Sequence, residues 1–129
     1  MNHENSNILE KYLSIPVVDI ETIETLKLHA GGDEDVLKDL FNSFFPEAEE
    51  QILELKNAAD MDNSELLKKS AHGLSGISAT IGANQLKALT ADMENYAKSE
   101  KYEEAYGLIE YVETFYEKFI EEAKSLLFS

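Results

Sequence analysis

Residues 64–89, SELLKKSAHGLSGISATIGANQLKAL, contain the pattern that decides the fold. Small or apolar residues recur there every three or four positions, which is the spacing of one face of an α-helix. On the first helix this inner face consists of Leu67, Ala71, Leu74, Ser78 and Ile81. Gly82 follows where a helix commonly ends in a left-handed residue, and the spacing resumes at Leu86. The stretch therefore predicts two amphipathic helices joined by a short connection.

Two further helices are predicted upstream of this stretch. Asp33 opens a helix over residues 33–59, and Pro46 inside it should kink or split that helix because proline lacks the amide hydrogen. A polar break over residues 60–63 separates it from the next helix. Before it, a shorter helix is predicted from the N-cap residue Asp19 to the glycine pair at 31–32.

Downstream, helical spacing continues almost to the end of the chain. The helix that begins near residue 84 should run to residue 98, with Leu89, Met93 and Ala97 on its inner face. After a short break at residues 99–100, apolar residues are spaced alternately three and four apart, as in helices that pack in bundles. They are Tyr102, Ala105, Ile109, Val112, Tyr116, Phe119, Ala123 and Leu126.

Four long amphipathic helices with short connections predict an all-α fold. We expect an antiparallel up-down-up-down four-helix bundle with a short N-terminal capping helix. Residues 1–18 are interpreted as an N-terminal arm, able to form a short helix around Leu9 and Tyr12, and residues 19–129 as the bundle. Proline at position 16 stops that arm from continuing as a helix.

Composition excludes several classes of protein. The 129 residues carry a formal net charge of −15, no cysteine and no arginine, so cysteine-based metal sites and thiol nucleophiles are excluded. Nucleic acid would repel such a chain, and without arginine the chain cannot form bidentate hydrogen bonds from a guanidinium group to phosphate or guanine. No apolar run is long enough to span a membrane, and residues 1–10 lack the features of a signal peptide. We expect a cytoplasmic protein that does not bind nucleic acid or membranes.

His72 is the candidate functional residue. It lies one position from Ala71, and hence about 100° away from the inner face, so the imidazole should point outward. Its helical neighbours are Lys68 and Lys69 on one side and Ser75 and Gly76 on the other. An uncovered histidine beside positive charge suits a nucleophile that accepts and then holds a phosphoryl group.

The competing interpretation is an incidental surface histidine beside two lysines. Against it, a glycine within a helix costs about 1 kcal/mol relative to alanine, and a surface helix has no packing reason to carry Gly76. A partner that must approach the imidazole closely would benefit from that glycine. His3 lies in the terminal arm and His29 closes a short helix, an ordinary placement for histidine. The helical face of His72 offers no second metal ligand, so no metal site is predicted.

This stretch resembles the histidine-containing phosphotransfer (HPt) domain family, over about residues 19–127. The family pattern is a histidine followed by leucine, lysine and glycine, then small residues, then Gly-Ala and an apolar position. The matching residues are His72, Leu74, Gly76, Ser78, Ala79, Gly82, Ala83 and Leu86. The order of the helices also fits, since the histidine falls on the second long helix of the predicted bundle.

The resemblance implies a phosphorelay carrier. His72 would accept a phosphoryl group from the aspartyl phosphate of one receiver domain and pass it to another receiver. The partners would be response-regulator receiver domains and a hybrid sensor histidine kinase, and the chain would act as a monomer. It would be a phosphocarrier and not an enzyme, because it has no ATP-binding domain. It would hold no cofactor, and Mg²⁺ would belong to the receiver.

The sequence departs from the family at one position and matches it loosely at another. The lysine usually found just before the motif glycine, which helps to neutralise the phosphoryl group, is Ser75 here. Lys69 could supply the charge instead, while Ser75 could donate a hydrogen bond. Asn84 aligns with a position where some members carry an amide that orients the histidine region.

Two other functions remain open. The chain could be an acidic helical interaction module in which His72 is incidental, and failure to accept phosphate from any receiver would favour that function. It could also be a phosphatase acting on receivers, which would release inorganic phosphate without forming a phosphohistidine. The same enzymatic alternative includes a dimerising histidine kinase core, which would need a second, ATP-binding domain.

Overall fold

The computed structural model describes residues 9–128, and these residues are almost entirely helical. A short helical stretch at residues 9–13 precedes α1 (Ile20–His29), α2 (Glu34–Met61) and α3 (Ser64–Ile81). These are followed by α4 (Asn84–Lys98), α5 (Tyr102–Gly107), a 3₁₀ turn (Ile109–Tyr111) and α6 (Val112–Phe128). The predicted all-α class is confirmed. The part of the predicted arm before residue 9 lies outside the described residues.

The helix ends follow the capping chemistry of the sequence. The Asp33 side chain accepts hydrogen bonds from the backbone amides of Asp35 and Val36, and Asn63 accepts one from Leu66. Gly82 adopts φ 83° at the end of α3, the left-handed conformation expected of a terminal glycine. Asp19 precedes α1 as predicted, but its carboxylate accepts from the Thr22 hydroxyl instead of a backbone amide.

Pro46 does not split α2, which continues through it from Glu34 to Met61. Proline removes the hydrogen bond to the carbonyl of Asn42, four positions earlier. Both residues are exposed, so water can satisfy that carbonyl. Of the two predicted outcomes, a split helix is therefore wrong.

The four long helices enclose one hydrophobic core. α3 packs most closely against α2 and α4, and α6 contacts both α2 and α4. Each of these four helices therefore touches two of the others around a shared interior. The largest fully buried aliphatic and aromatic side chains on them include Leu55, Leu67, Leu74, Leu89, Met93 and Phe119.

The C-terminal apolar pattern is not one uninterrupted helix. The helix breaks after Gly107, the poorest helix former in the pattern, and a 3₁₀ turn separates α5 from α6. Since a 3₁₀ turn winds more tightly than an α-helix, the buried stripe shifts in register. Leu108 and Phe115 become buried, while Leu126 is 40% exposed. The prediction of a continuous heptad pattern over residues 102–126 is wrong at these positions.

Residues 9–18 pack against α4 and α6. The Tyr12 hydroxyl donates to Asp92 Oδ2 at 2.7 Å, and its buried ring stands edge-on to Phe115. Burial, followed by the Asp92 carboxylate, raises the pKa of Tyr12. Gln85 donates to the carbonyl of Ile15 at 2.9 Å. This segment therefore stabilises the helix that lies beside His72.

We expect Tyr12→Phe to lower the free energy of unfolding by about 1 kcal/mol, because the ring stays buried while one hydrogen bond to a carboxylate is lost. Lys11→Ala removes an exposed ion pair to the same carboxylate and should cost less. Urea denaturation of both variants measures the difference. A larger loss in Lys11→Ala would contradict this account.

Candidate functional site

The His72 imidazole projects from the outer side of α3, and its side chain is 77% exposed. Its Nδ1 atom lies 2.9 Å from Oε2 of Glu94, on α4. The Glu94 side chain is only 16% exposed, so the surrounding residues restrict its movement while it contacts the exposed imidazole. The outward direction predicted for His72 is the one observed.

Glu94 faces His72 because α3 and α4 are joined by only Gly82 and Ala83 and run in opposite directions. The two residues are 22 positions apart in the sequence, and Ala83 stands midway between them. Glu94 is adjacent to the buried Met93, so it lies at the border of the inner face of α4. Glu94 is not among the predicted residues, because the prediction rests on the neighbours of His72 on its own helix. Counting equal numbers of residues in both directions from Ala83 in the turn pairs His72 with Glu94.

Lys98 is the second charged residue that α4 contributes. Its Nζ atom lies 3.4 Å from the same Glu94 oxygen that contacts His72. Glutamate four positions before lysine is the favourable order for a helical ion pair. Lys98 is 62% exposed, so its ammonium group also reaches solvent. His72 on α3 and the Glu94–Lys98 pair on α4 form a chain of contacts, which we call the α3–α4 site.

The two lysines predicted beside His72 have different environments. Lys68 donates to Glu65 at 3.1 Å, and this carboxylate raises the pKa of Lys68. Lys69 is exposed and makes no ion pair with any residue in the described range. Ser75 is half-buried, one turn after His72.

The glycines near His72 differ in what surrounds them. A Cβ atom built on Gly76 would meet nothing within 4 Å, so packing within the described chain does not require glycine there. A Cβ atom on Gly73 would lie 3.1 Å from the Gln51 side chain, so that glycine allows α2 to approach α3. Gly76 therefore leaves open space beside the imidazole, on the side toward the end of α3.

Asn84 is not brought to the imidazole. It begins α4 and stands ten positions before Glu94, or about 15 Å along the helix. Its backbone amide donates to the carbonyl of Val17 at 3.2 Å, which attaches the N-terminal segment. The residue that contacts the ring from α4 is Glu94.

Two properties of residues 9–128 bear on other kinds of site. No helix there is both long and apolar enough to cross a membrane. No group of three or more histidine, aspartate or glutamate side chains among them could hold a metal ion.

The family model for the Hpt domain matches residues 39–125, which include all of α3 and α4. The chain therefore belongs to the Hpt domain family. Its structure is similar to the crystal structure of histidine-containing phosphotransfer protein B (HptB) from Pseudomonas aeruginosa PAO1, with a TM-score of 0.73. The two share 24% sequence identity over 85% of this chain and 96% of that chain. Among curated proteins, no sequence matches significantly.

Membership of this family gives the chain a phosphotransfer role in two-component signalling. Hpt domains are phosphocarrier modules that work with receiver domains and histidine kinases. At 24% identity, the likeness to HptB concerns the fold.

Proposed function

We propose that this protein relays a phosphoryl group between the aspartates of two receiver domains, with His72 as the carrier. One observation carries the proposal: the exposed imidazole is held through Nδ1 by Glu94, so that its other nitrogen, Nε2, is left for a partner. An up-down-up-down arrangement of α2, α3, α4 and α6 is part of the proposal, as is action as a cytoplasmic monomer.

The tautomer of His72 follows from its partner. A carboxylate only accepts hydrogen bonds, so Nδ1 must carry the hydrogen that it donates to Glu94. In the neutral ring Nε2 then holds the lone pair, and this is the nucleophilic atom. No base is needed to remove a proton before the attack.

The transfer is balanced without any additional reactant. The Nε2 lone pair forms a bond to phosphorus while the phosphorus–oxygen bond of the receiver's aspartyl phosphate breaks, and the electron pair stays on the aspartate oxygen. The ring keeps its Nδ1 hydrogen and gains positive charge, which the Glu94 carboxylate faces. In the second transfer an aspartate oxygen of the next receiver attacks phosphorus, and the nitrogen–phosphorus electron pair returns to Nε2.

The proposal assigns the divalent cation and any ATP chemistry to the partners. This chain then holds the phosphoryl group without catalysing its formation from ATP, so it is a carrier and not an enzyme. Gly76 supports this function because a receiver must bring its aspartate close to Nε2, and the space beside His72 is clear.

The test is incubation of the full chain with a panel of phosphorylated receivers from the same organism. We expect at least one receiver to lose its label while the chain gains a phosphohistidine. A chain that binds a receiver and never becomes labelled would be an interaction module. Release of inorganic phosphate without labelling of the chain would indicate the phosphatase. Either result would overturn the proposal.

We expect Glu94→Ala to slow phosphoryl uptake by about 10-fold, because a hydrogen bond to a charged group that orients the ring is worth roughly 1.5 kcal/mol. Long-range ¹H–¹⁵N NMR of the ring nitrogens should show loss of the single Nδ1–H tautomer. Glu94→Gln retains an acceptor oxygen, so it should preserve most of the tautomer preference and of the rate.

Glu117→Ala is the matched control, since Glu117 is an exposed acid on α6. It should change neither the ring spectrum nor the rate. An unchanged tautomer in Glu94→Ala would contradict the positioning role of Glu94.

A further inference from the structure

We infer that Lys98, on the neighbouring helix, is the cation that neutralises the phosphoryl group carried by His72, in place of the lysine that this chain lacks at position 75. The inference rests on the proposed function. It differs from the simpler expectation that Lys69, on the same helix as His72, takes over that charge.

The position of the Lys98 ammonium group supports this role. It lies 3.4 Å from the Glu94 oxygen that is itself 2.9 Å from the imidazole. Only one carboxylate therefore separates Lys98 from the ring. Ser75 carries no charge, and the Lys68 ammonium is paired with Glu65.

The direction of the side chains also favours Lys98 over Lys69. Side chains on a helix lean toward its N-terminus. On α3 this lean carries Lys69 away from His72, which lies further along the same helix. α4 runs in the opposite direction, so the same lean carries Lys98 toward Glu94 and the imidazole, and the 3.4 Å contact is the result.

The charge of the phosphoryl group favours a contact with Lys98 as well. A phosphoryl group brings roughly two negative charges at neutral pH, whereas the Glu94 carboxylate brings one. Lys98 is 62% exposed, and an ion pair whose ammonium group is open to solvent costs little to break. After phosphorylation the flexible lysine chain can turn from Glu94 to the phosphoryl oxygens. In a chain of net charge −15 such a local cation favours the phosphorylated form.

The experiment measures the equilibrium ratio of phosphorylated His72 to phosphorylated receiver. We expect Lys98→Ala to lower this ratio about five-fold at low ionic strength and by less at high ionic strength, because salt screens exposed charges. Lys98→Arg should retain most of the ratio. Ser75→Lys, added to Lys98→Ala, should restore it at least in part by supplying the charge from α3.

Lys87→Ala is the matched control, because Lys87 is an exposed lysine near the opposite end of α4. It should leave the ratio unchanged. An equal loss in Lys87→Ala, no loss in Lys98→Ala, or a larger loss in Lys69→Ala would overturn the inference. All three outcomes presuppose normal labelling of the wild-type chain, whereas absence of that labelling would overturn the proposed function itself.

Discussion

We expect His72→Gln to abolish phosphoryl labelling of this chain by every receiver that labels the wild-type protein. Glutamine retains a polar side chain of similar length but has no nitrogen lone pair able to form the phosphorus bond. The wild-type label should be acid-labile and base-stable, as expected of a phosphohistidine. Labelling is measured after transfer from a radioactive phosphorylated receiver.

The variant should fold normally, because the His72 side chain is 77% exposed and its removal leaves no cavity. Circular dichroism should show unchanged helicity. His29→Gln is the control, since His29 is an exposed histidine at the end of α1 and should remain irrelevant to labelling. A label that persists in His72→Gln would place the phosphoryl group elsewhere and remove the basis of the proposal.

The second large effect is expected at Gly76. We expect Gly76→Gln to slow transfer between receiver and chain by about 10- to 100-fold, because a displacement of about 1 Å between reacting groups can cost a factor of this size. The new side chain fits the free protein, since nothing lies within 4 Å of its Cβ position. It would instead occupy the space through which a receiver approaches His72. Single-turnover transfer kinetics measure the change.

Stability separates this explanation from misfolding. Gly76→Gln should leave the free energy of unfolding equal or raise it by up to about 1 kcal/mol, because glycine is the poorer helix former. Gly107→Gln is the matched control, since a Cβ atom there also meets nothing within 4 Å and Gly107 ends α5. It should leave transfer unchanged. If Gly76→Gln loses helicity together with transfer, the glycine is needed for packing.

Much of the fold could be predicted because it depends on local chemistry. Asp33 and Asn63 cap the helices that they precede, and Gly82 ends α3 in the left-handed conformation. The inner faces of α3 and α4 include all the predicted residues, since helical spacing places each of them on one side, and they also bury Ser70, Gln85 and Thr90. The least successful predictions concern Pro46 and residues 102–126. At Pro46 the outcome depends on whether water can satisfy the carbonyl of Asn42, which has lost its hydrogen bond. Over residues 102–126 it depends on how the 3₁₀ turn shifts the register of the buried stripe.

The features of the candidate site also fall into those that the sequence predicts and those that only the tertiary structure reveals. The sequence determined that His72 points outward and that Gly76 leaves space beside it, because both follow from positions on a single helix. Only the tertiary structure showed that Glu94 holds Nδ1, and that the Glu94–Lys98 pair of α4 therefore lies beside the imidazole. The His72–Glu94 contact joins residues 22 positions apart on two different helices, and its existence depends on the direction and closeness of helix packing. Helical periodicity reports on one helix at a time and carries no information on which side chains of a second helix it meets.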